Sequence, residues 1–240
     1  MKKIGMIGGI SWESTQVYYQ ILNKKVNKAL GGFHSAKIIL ESVDFAEIEK
    51  LQKADDWEAL DHLMVTAAQN LENAKAELIL ICANTMHLCS DAIIKNTNIP
   101  LIHIARETGK TIKASGLQKI LLLGTKFTME KAFFKDILTN EFGLEVMIPN
   151  AEDRSVAHQV IYQELVRGQL LPASKAAYQN IIAKAARNGA EGVVLGCTEI
   201  PLLIKASDVE IPIFDTTLIH AEAAVQFALE LSHKKQKPSA

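Results

Sequence analysis

Short apolar runs that stop at glycine or at a small polar residue punctuate the chain, and amphipathic stretches fill the gaps between them. Lys3-Ile4-Gly5-Met6-Ile7-Gly8-Gly9 reads like Lys119-Ile120-Leu121-Leu122-Leu123-Gly124-Thr125, each a buried strand entering a tight turn. Ala76-Glu77-Leu78-Ile79-Leu80-Ile81 matches Ala190-Glu191-Gly192-Val193-Val194-Leu195, and Ile99-Pro100-Leu101-Ile102-His103 matches Ile211-Pro212-Ile213-Phe214-Asp215. The offsets are 116, 114 and 112 residues. One such match means little, because buried strands resemble one another. Three in the same order at nearly constant offset indicate a duplication. Between the runs, Val17, Tyr18, Ile21, Leu22 and Val26 recur at helical spacing. So do Trp57, Leu60, Leu63, Met64, Ala67, Ala68 and Leu71, and in the second half Tyr178, Ile181, Ile182 and Ala185. Strands alternating with helices predict an α/β fold of two pseudosymmetric doubly wound domains with mainly parallel sheets. The first half is expected at 1–104, completed by a C-terminal helix at 217–240, and the second at 105–216. Ligands of such sheets collect beyond the carboxyl ends of strands, so a functional site is expected in the cleft between the halves.

Composition narrows the classes. With 48% hydrophobic and 22% charged residues, a 240-residue chain can bury a core without a metal or disulfide. A formal net charge of −1 offers no concentrated basic surface for nucleic acid or an anionic membrane. The basic run His233-Lys234-Lys235-Gln236-Lys237 is expected to be a solvated terminus. Cys82, Cys89 and Cys197 cannot all pair and show no zinc-like spacing. No uncharged apolar stretch approaches the roughly 20 residues of a membrane span, and no signal peptide is evident. A cytoplasmic location is the expectation, with neither metal nor cofactor.

The strand ends carry the chemistry. Gly8-Gly9-Ile10-Ser11 suits close approach of backbone amides to an anion, or equally a plain strand-to-helix turn with Ser11 as N-cap. It matches neither the dinucleotide fingerprint nor the P-loop. Cys197 follows an apolar run and Gly196 and sits beside Thr198 and Glu199. A cysteine just past a parallel strand, amid amides and hydroxyls, is a candidate thiolate; a charged Glu199 would oppose that, or help by bonding a substrate ammonium. In the first half, Asn84 and Thr85 suit either turn and cap roles or contacts to a substrate carboxylate and amine. His87 is assigned to the layer behind them.

The segments at 8–15 (Gly-Gly-Ile-Ser-Trp-Glu-Ser-Thr), Ser42-Val43-Asp44-Phe45, Asn84-Thr85-Met86-His87, Leu123-Gly124-Thr125 and Gly196-Cys197-Thr198-Glu199-Ile200 resemble the aspartate/glutamate racemase family over nearly the whole chain. They are closest to a bacterial branch of L-aspartate/glutamate-specific or broad-specificity amino-acid racemases. The resemblance implies a cofactor-independent inversion at Cα, with one base on each face of a small amino-acid substrate. It points to Gln52 and Glu164 as substrate contacts, beside the polar strand-end candidates Ser11, Asn84, Thr85, Thr125, Thr198 and Glu199. A homodimer is common among similar proteins.

One position departs from the pattern. Both the internal repeat and the resemblance set Ala83 opposite Cys197, and alanine cannot carry a proton. Adjacent strand residues face opposite ways, so Cys82 is expected to point away as a buried structural thiol unless a bulge redirects it. A lone Cys197 base predicts activity biased to L-isomers, with water or a hydroxyl such as that of Thr85 returning a proton on the other face. The alternatives are a single-cysteine decarboxylase of the same superfamily and an amino-acid-binding protein weakened in catalysis.

Overall fold

A computed structural model describes residues 1–230. The basic run at 233–237 and the end of the segment 217–240 lie outside the described residues. Seven strands form two parallel sheets: β1 (Ile4–Gly8), β2 (Ile38–Ser42) and β3 (Leu78–Ile81) in the order β2-β1-β3, and β4 (Lys119–Gly124), β5 (Glu145–Met147), β6 (Gly192–Gly196) and β7 (Ile213–Asp215) in the order β5-β4-β6-β7. The helices of the first part are α1 (Trp12–Leu30), α2 (Phe45–Lys53), α3 (Trp57–Asn73), α4 (Ser90–Asn96) and α5 (Ile104–Ser115). In the second they are α6 (Lys126–Glu130), α7 (Ala132–Asp136), α8 (Ala151–Gln163), α9 (Pro172–Arg187), α10 (Ile200–Leu203) and α11 (Thr216–Ala228). Among the described residues no helix is long and apolar enough to cross a membrane.

The duplication read from the sequence is the register of the two sheets. Ile4 pairs with Leu78 and Ile120 with Gly192; Ile79 bridges Leu101 and Val193 pairs with Ile213. These are the same offsets of 116, 114 and 112 residues. The third repeat differs in extent. Ile211–Asp215 yields β7, whereas Ile99–His103 is reduced to the single bridge at Leu101. Both segments end by capping a helix. His103 Nδ1 accepts from the Ala105 N–H, and Asp215 Oδ1 accepts from the Thr217 and Leu218 N–H groups.

The helices after these caps cross over. Ile104, Ala105 and Ile112 of α5 pack on Ile120, Leu122 and Val194 of the second sheet. Ala221, Ala224, Val225 and Ala228 of α11 pack on Ile4, Met6, Leu78 and Leu80 of the first. Each sheet thus has one face covered by a helix that follows the other sheet in sequence, which fixes the two strand-end rims against each other. Glycine closes the turn below one rim. Gly9 has φ 89°, and a Cβ there would lie 2.1 Å from the Val43 carbonyl oxygen.

Candidate active site

Alternation along the pleat decides which strand-end side chains meet. Cys82 continues the ladder by donating its N–H to the Ile7 carbonyl, and its side chain joins the α1/α11 face with Tyr18, Leu22 and Ala221. Burial pushes its thiol up. Ala83 takes the opposite face, beside Ile10, Ile48 and Met86. There is no redirecting bulge, and Ala83 is the residue that shares a small cavity with Cys197.

That cavity lies between the halves and holds about 40 Å³ of free space, room for a water or two. Ser11, Gln52, Asn84, Thr85, Thr125, Thr198 and Glu199 all line it. Hydrogen bonds tie its walls together across the cleft: Asn84 Nδ2 donates to Thr216 Oγ1 at 3.0 Å, and the Thr85 and Thr125 hydroxyls meet at 3.0 Å. Asn84 Oδ1 is buried and has no partner among the described residues. Ser11 and Thr125 also cap α1 and α6, accepting from the Ser14 and Thr128 N–H groups. Capping and cavity-lining roles therefore coexist in the same side chains.

Glu164 is the exception. It sits at the end of α8, its carboxylate accepts from Ser174 Oγ at 2.5 Å, and it does not line the cavity. Glu164 is tied to Ser174 of α9, while Val166, two residues further on, does line the cavity.

Glu199 is the hub of the second rim and is 3% exposed. Its Oε1 accepts from the Ser11 hydroxyl at 2.7 Å, and its Oε2 from the Thr198 hydroxyl at 2.8 Å and the Cys197 S–H at 3.0 Å. Burial, the adjacent Glu199 charge and this hydrogen bond hold the Cys197 thiol well above its usual range. The Glu199 and Ile200 N–H groups at the start of α10 act in the opposite sense but do not prevail. That shift opposes the candidate thiolate and favours the protonated Cys197 thiol.

Behind Ala83, His87 packs against His103 and His220 with ring centroids 4.8 and 5.4 Å apart. Its Nε2 accepts from the Ile104 N–H, so its Nδ1–H donates to the Ala83 carbonyl at 2.9 Å. His87 thus steadies the strand end without lining the cavity. His220 donates from Nε2 to the Ile102 carbonyl and accepts from the Tyr18 hydroxyl at Nδ1. Burial lowers His87 to about 4, His220 to about 3 and His103 to about 2. The unfolded chain takes up these protons near pH 6.5, the folded chain only near pH 4 and below. Stability is therefore full above pH 6.5 and declines as pH falls from there, by up to about 2 kcal/mol per ring at pH 5. Urea midpoints at pH 7 and pH 5 check this; a midpoint that does not fall over that interval contradicts it.

Four residues at the site went unsingled in the sequence. Phe45 and Tyr162 line the cavity, Thr216 holds Asn84, and Thr128 bonds to Thr125. Phe45 and Thr128 lay within strand-end segments, and no spacing marked Tyr162. Among the described residues no cluster of His, Cys, Asp or Glu is arranged to hold a metal ion.

The family model described as Asp/Glu/hydantoin racemase matches residues 7–224. The chain belongs to this family. It is 24% identical over 179 residues to the broad-specificity amino-acid racemase RacX of Bacillus subtilis, covering 71% of this chain and 73% of that one. A candidate Asp/Glu racemase from Yersinia pestis is 48% identical, with a TM-score of 0.89 over 95% of this chain and 100% of that one. An aspartate racemase homologue from Pyrococcus horikoshii is 37% identical, with a TM-score of 0.81 over the same shares. Family membership makes the protein an isomerase, an amino-acid racemase by class.

Proposed function

We propose that this family member abstracts the Cα proton of aspartate- or glutamate-like L-amino acids, with Cys197 as its single side-chain base and without a cofactor. The carrying observation is that Cys197 and Ala83 border one cavity from the two halves, so only one face of a bound substrate meets a proton-transferring group. The same reading treats 1–104 with the C-terminal helix, and 105–216, as the two units that supply the faces.

The unpartnered Asn84 Oδ1 and the Glu199 carboxylate suit an α-ammonium, while the Ser11, Thr85, Thr125 and Thr198 hydroxyls suit carboxylates. Arrival of the ammonium draws Ser11 and its bond away from Glu199, and the cleft must widen to admit the ligand. Loss of the Cys197 S–H proton to water then leaves a thiolate, favoured by the ammonium now beside Glu199. The thiolate takes the Cα proton, and the negative charge spreads into the α-carboxylate, where hydroxyl donors stabilise it. On the face of Ala83 a proton returns from water or from Thr85, slowly, so Cα exchange runs faster from L- than from D-substrates.

Solvent deuterium exchange at Cα, with separated L- and D-aspartate and glutamate, tests the bias. Faster exchange from the L-isomers is expected; equal rates from both would overturn a one-base scheme. Ala83 also suits a decarboxylase, which protonates only one face. An arylmalonate run beside the amino acids, with loss of CO2 as the readout, decides between the two chemistries.

Glu199 gives the pH dependence. Because the free thiol titrates far above neutrality, exchange per unit substrate at low concentration is expected to keep rising beyond pH 9. Glu199→Gln removes the neighbouring charge and should move this limb down by about one pH unit or more. An unmoved limb would show that Glu199 is not what keeps the thiol protonated.

A further inference from the structure

Beyond the small cavity lies a second space of about 330 Å³, lined by Glu49, Lys53, Phe127, His158 and Arg167 among others. Gln52 and Tyr162 border both spaces, and the Tyr162 hydroxyl donates to Gln52 Oε1 at 3.1 Å. The bond joins α2 of the first half to α8 of the second. The Tyr162 ring is stacked on Phe45, with centroids 6.4 Å apart, so an aromatic pair backs the partition. The charges differ on its two sides. The inner cavity carries Glu199, while in the outer chamber Lys53 is paired with Glu49, leaving Arg167 as the chamber's net positive charge among the described residues.

These facts fix an orientation. The hydroxyls and the Asn84 amide cluster at the strand ends, and Phe45, Tyr162 and Val166 supply the apolar wall away from them. An amino acid held at the strand ends by its ammonium and α-carboxylate therefore sends its side chain toward Tyr162. We propose that Tyr162 is the specificity-determining wall of the site: it limits the side-chain length accepted, and the cationic chamber behind it is a latent site for the distal carboxylate of a longer acidic amino acid. The partition is movable, since a single neutral hydrogen bond joins its two sides. What it imposes is bulk.

The inference rests on the cavity's being an amino-acid site, and the test separates the two claims. Wild-type protein, Tyr162→Phe and Tyr162→Ala are compared for Cα deuterium exchange from L-aspartate, L-glutamate and L-2-aminoadipate, with folding checked by thermal melting. Tyr162→Ala is expected to raise the aminoadipate-to-aspartate ratio about tenfold or more, the scale on which one methylene is discriminated. Tyr162→Phe keeps the ring and should leave the ratio within about twofold. Adding Arg167→Gln to Tyr162→Ala should remove most of the gain for aminoadipate but not for uncharged L-norleucine. An unchanged ratio in folded Tyr162→Ala, or an equal rise in Tyr162→Phe, overturns the proposal. If the wild-type protein exchanges none of these acids, the racemase reading fails on its own. The length claim is then decided by calorimetric binding of the same acids: it stands if Tyr162→Ala shifts preference to aminoadipate and falls otherwise.

Discussion

Cys197→Ala is expected to lower deuterium uptake at Cα of L-aspartate and L-glutamate by about 10³-fold or more, the scale contributed by a positioned acid or base. The substitution removes the one thiol that borders the cavity and leaves the hub around it in place, since Ser11 and Thr198 still donate to Glu199. It should therefore cost little stability, and a melting temperature within a few degrees of wild type would show that the loss is chemical. Cys82→Ala supplies the contrast. Its sulfur lies in the α1/α11 core, and its removal is expected to lower the melting temperature while exchange in the folded protein persists. Exchange that survives Cys197→Ala would transfer the base to another group, with Glu199 the nearest carboxylate.

Ala83→Cys is expected to act in the opposite direction and on the other isomer. The Ala83 Cβ already faces the cavity, so a sulfur added there enters the space between the halves. A base on that face should raise exchange from D-aspartate and D-glutamate by about 10²-fold or more and turn an L-biased reaction into two-way inversion. Optical rotation followed from each pure isomer reads this directly. If D-isomer exchange stays flat while the variant remains folded, position 83 does not address the substrate's second face and the one-base reading loses its geometric support. The His87 bond to the Ala83 carbonyl keeps the backbone at this position fixed, so little rearrangement is needed to accommodate the change.

Much of the frame was legible because it is local. A parallel strand buried on both faces leaves an unbroken apolar run, and that is how β1, β3, β4 and β6 were found with their register. The edge strands β2 and β5 were not, because the half-exposed Glu41 and the exposed Glu145 interrupt any such run. At the site, Ser11, Asn84, Thr85, Thr125, Thr198 and Glu199 were identified from their strand ends, and the structure brings them to one cavity with Gln52. Glu164 does not line the cavity because Ser174 of α9 takes up its carboxylate, a contact that no local pattern encodes. Tyr162 went unmarked because a tyrosine near a helix end has many uses; its role follows from Gln52, 110 residues away.

The sequence by itself determined that the chain is a duplicated α/β protein, that Ala83 aligns with Cys197 in the repeat, and that Cys82 is expected to face the other way. Each follows from repetition and from the two-residue period of a pleated strand, which are properties of neighbouring residues. Tertiary structure alone decided that Glu199 accepts from the Cys197 thiol and that Ser11 ties Glu199 across the cleft. A proton's position depends on distances of about 3 Å and on burial. Those are set by how elements far apart in the chain pack, and no local pattern encodes them.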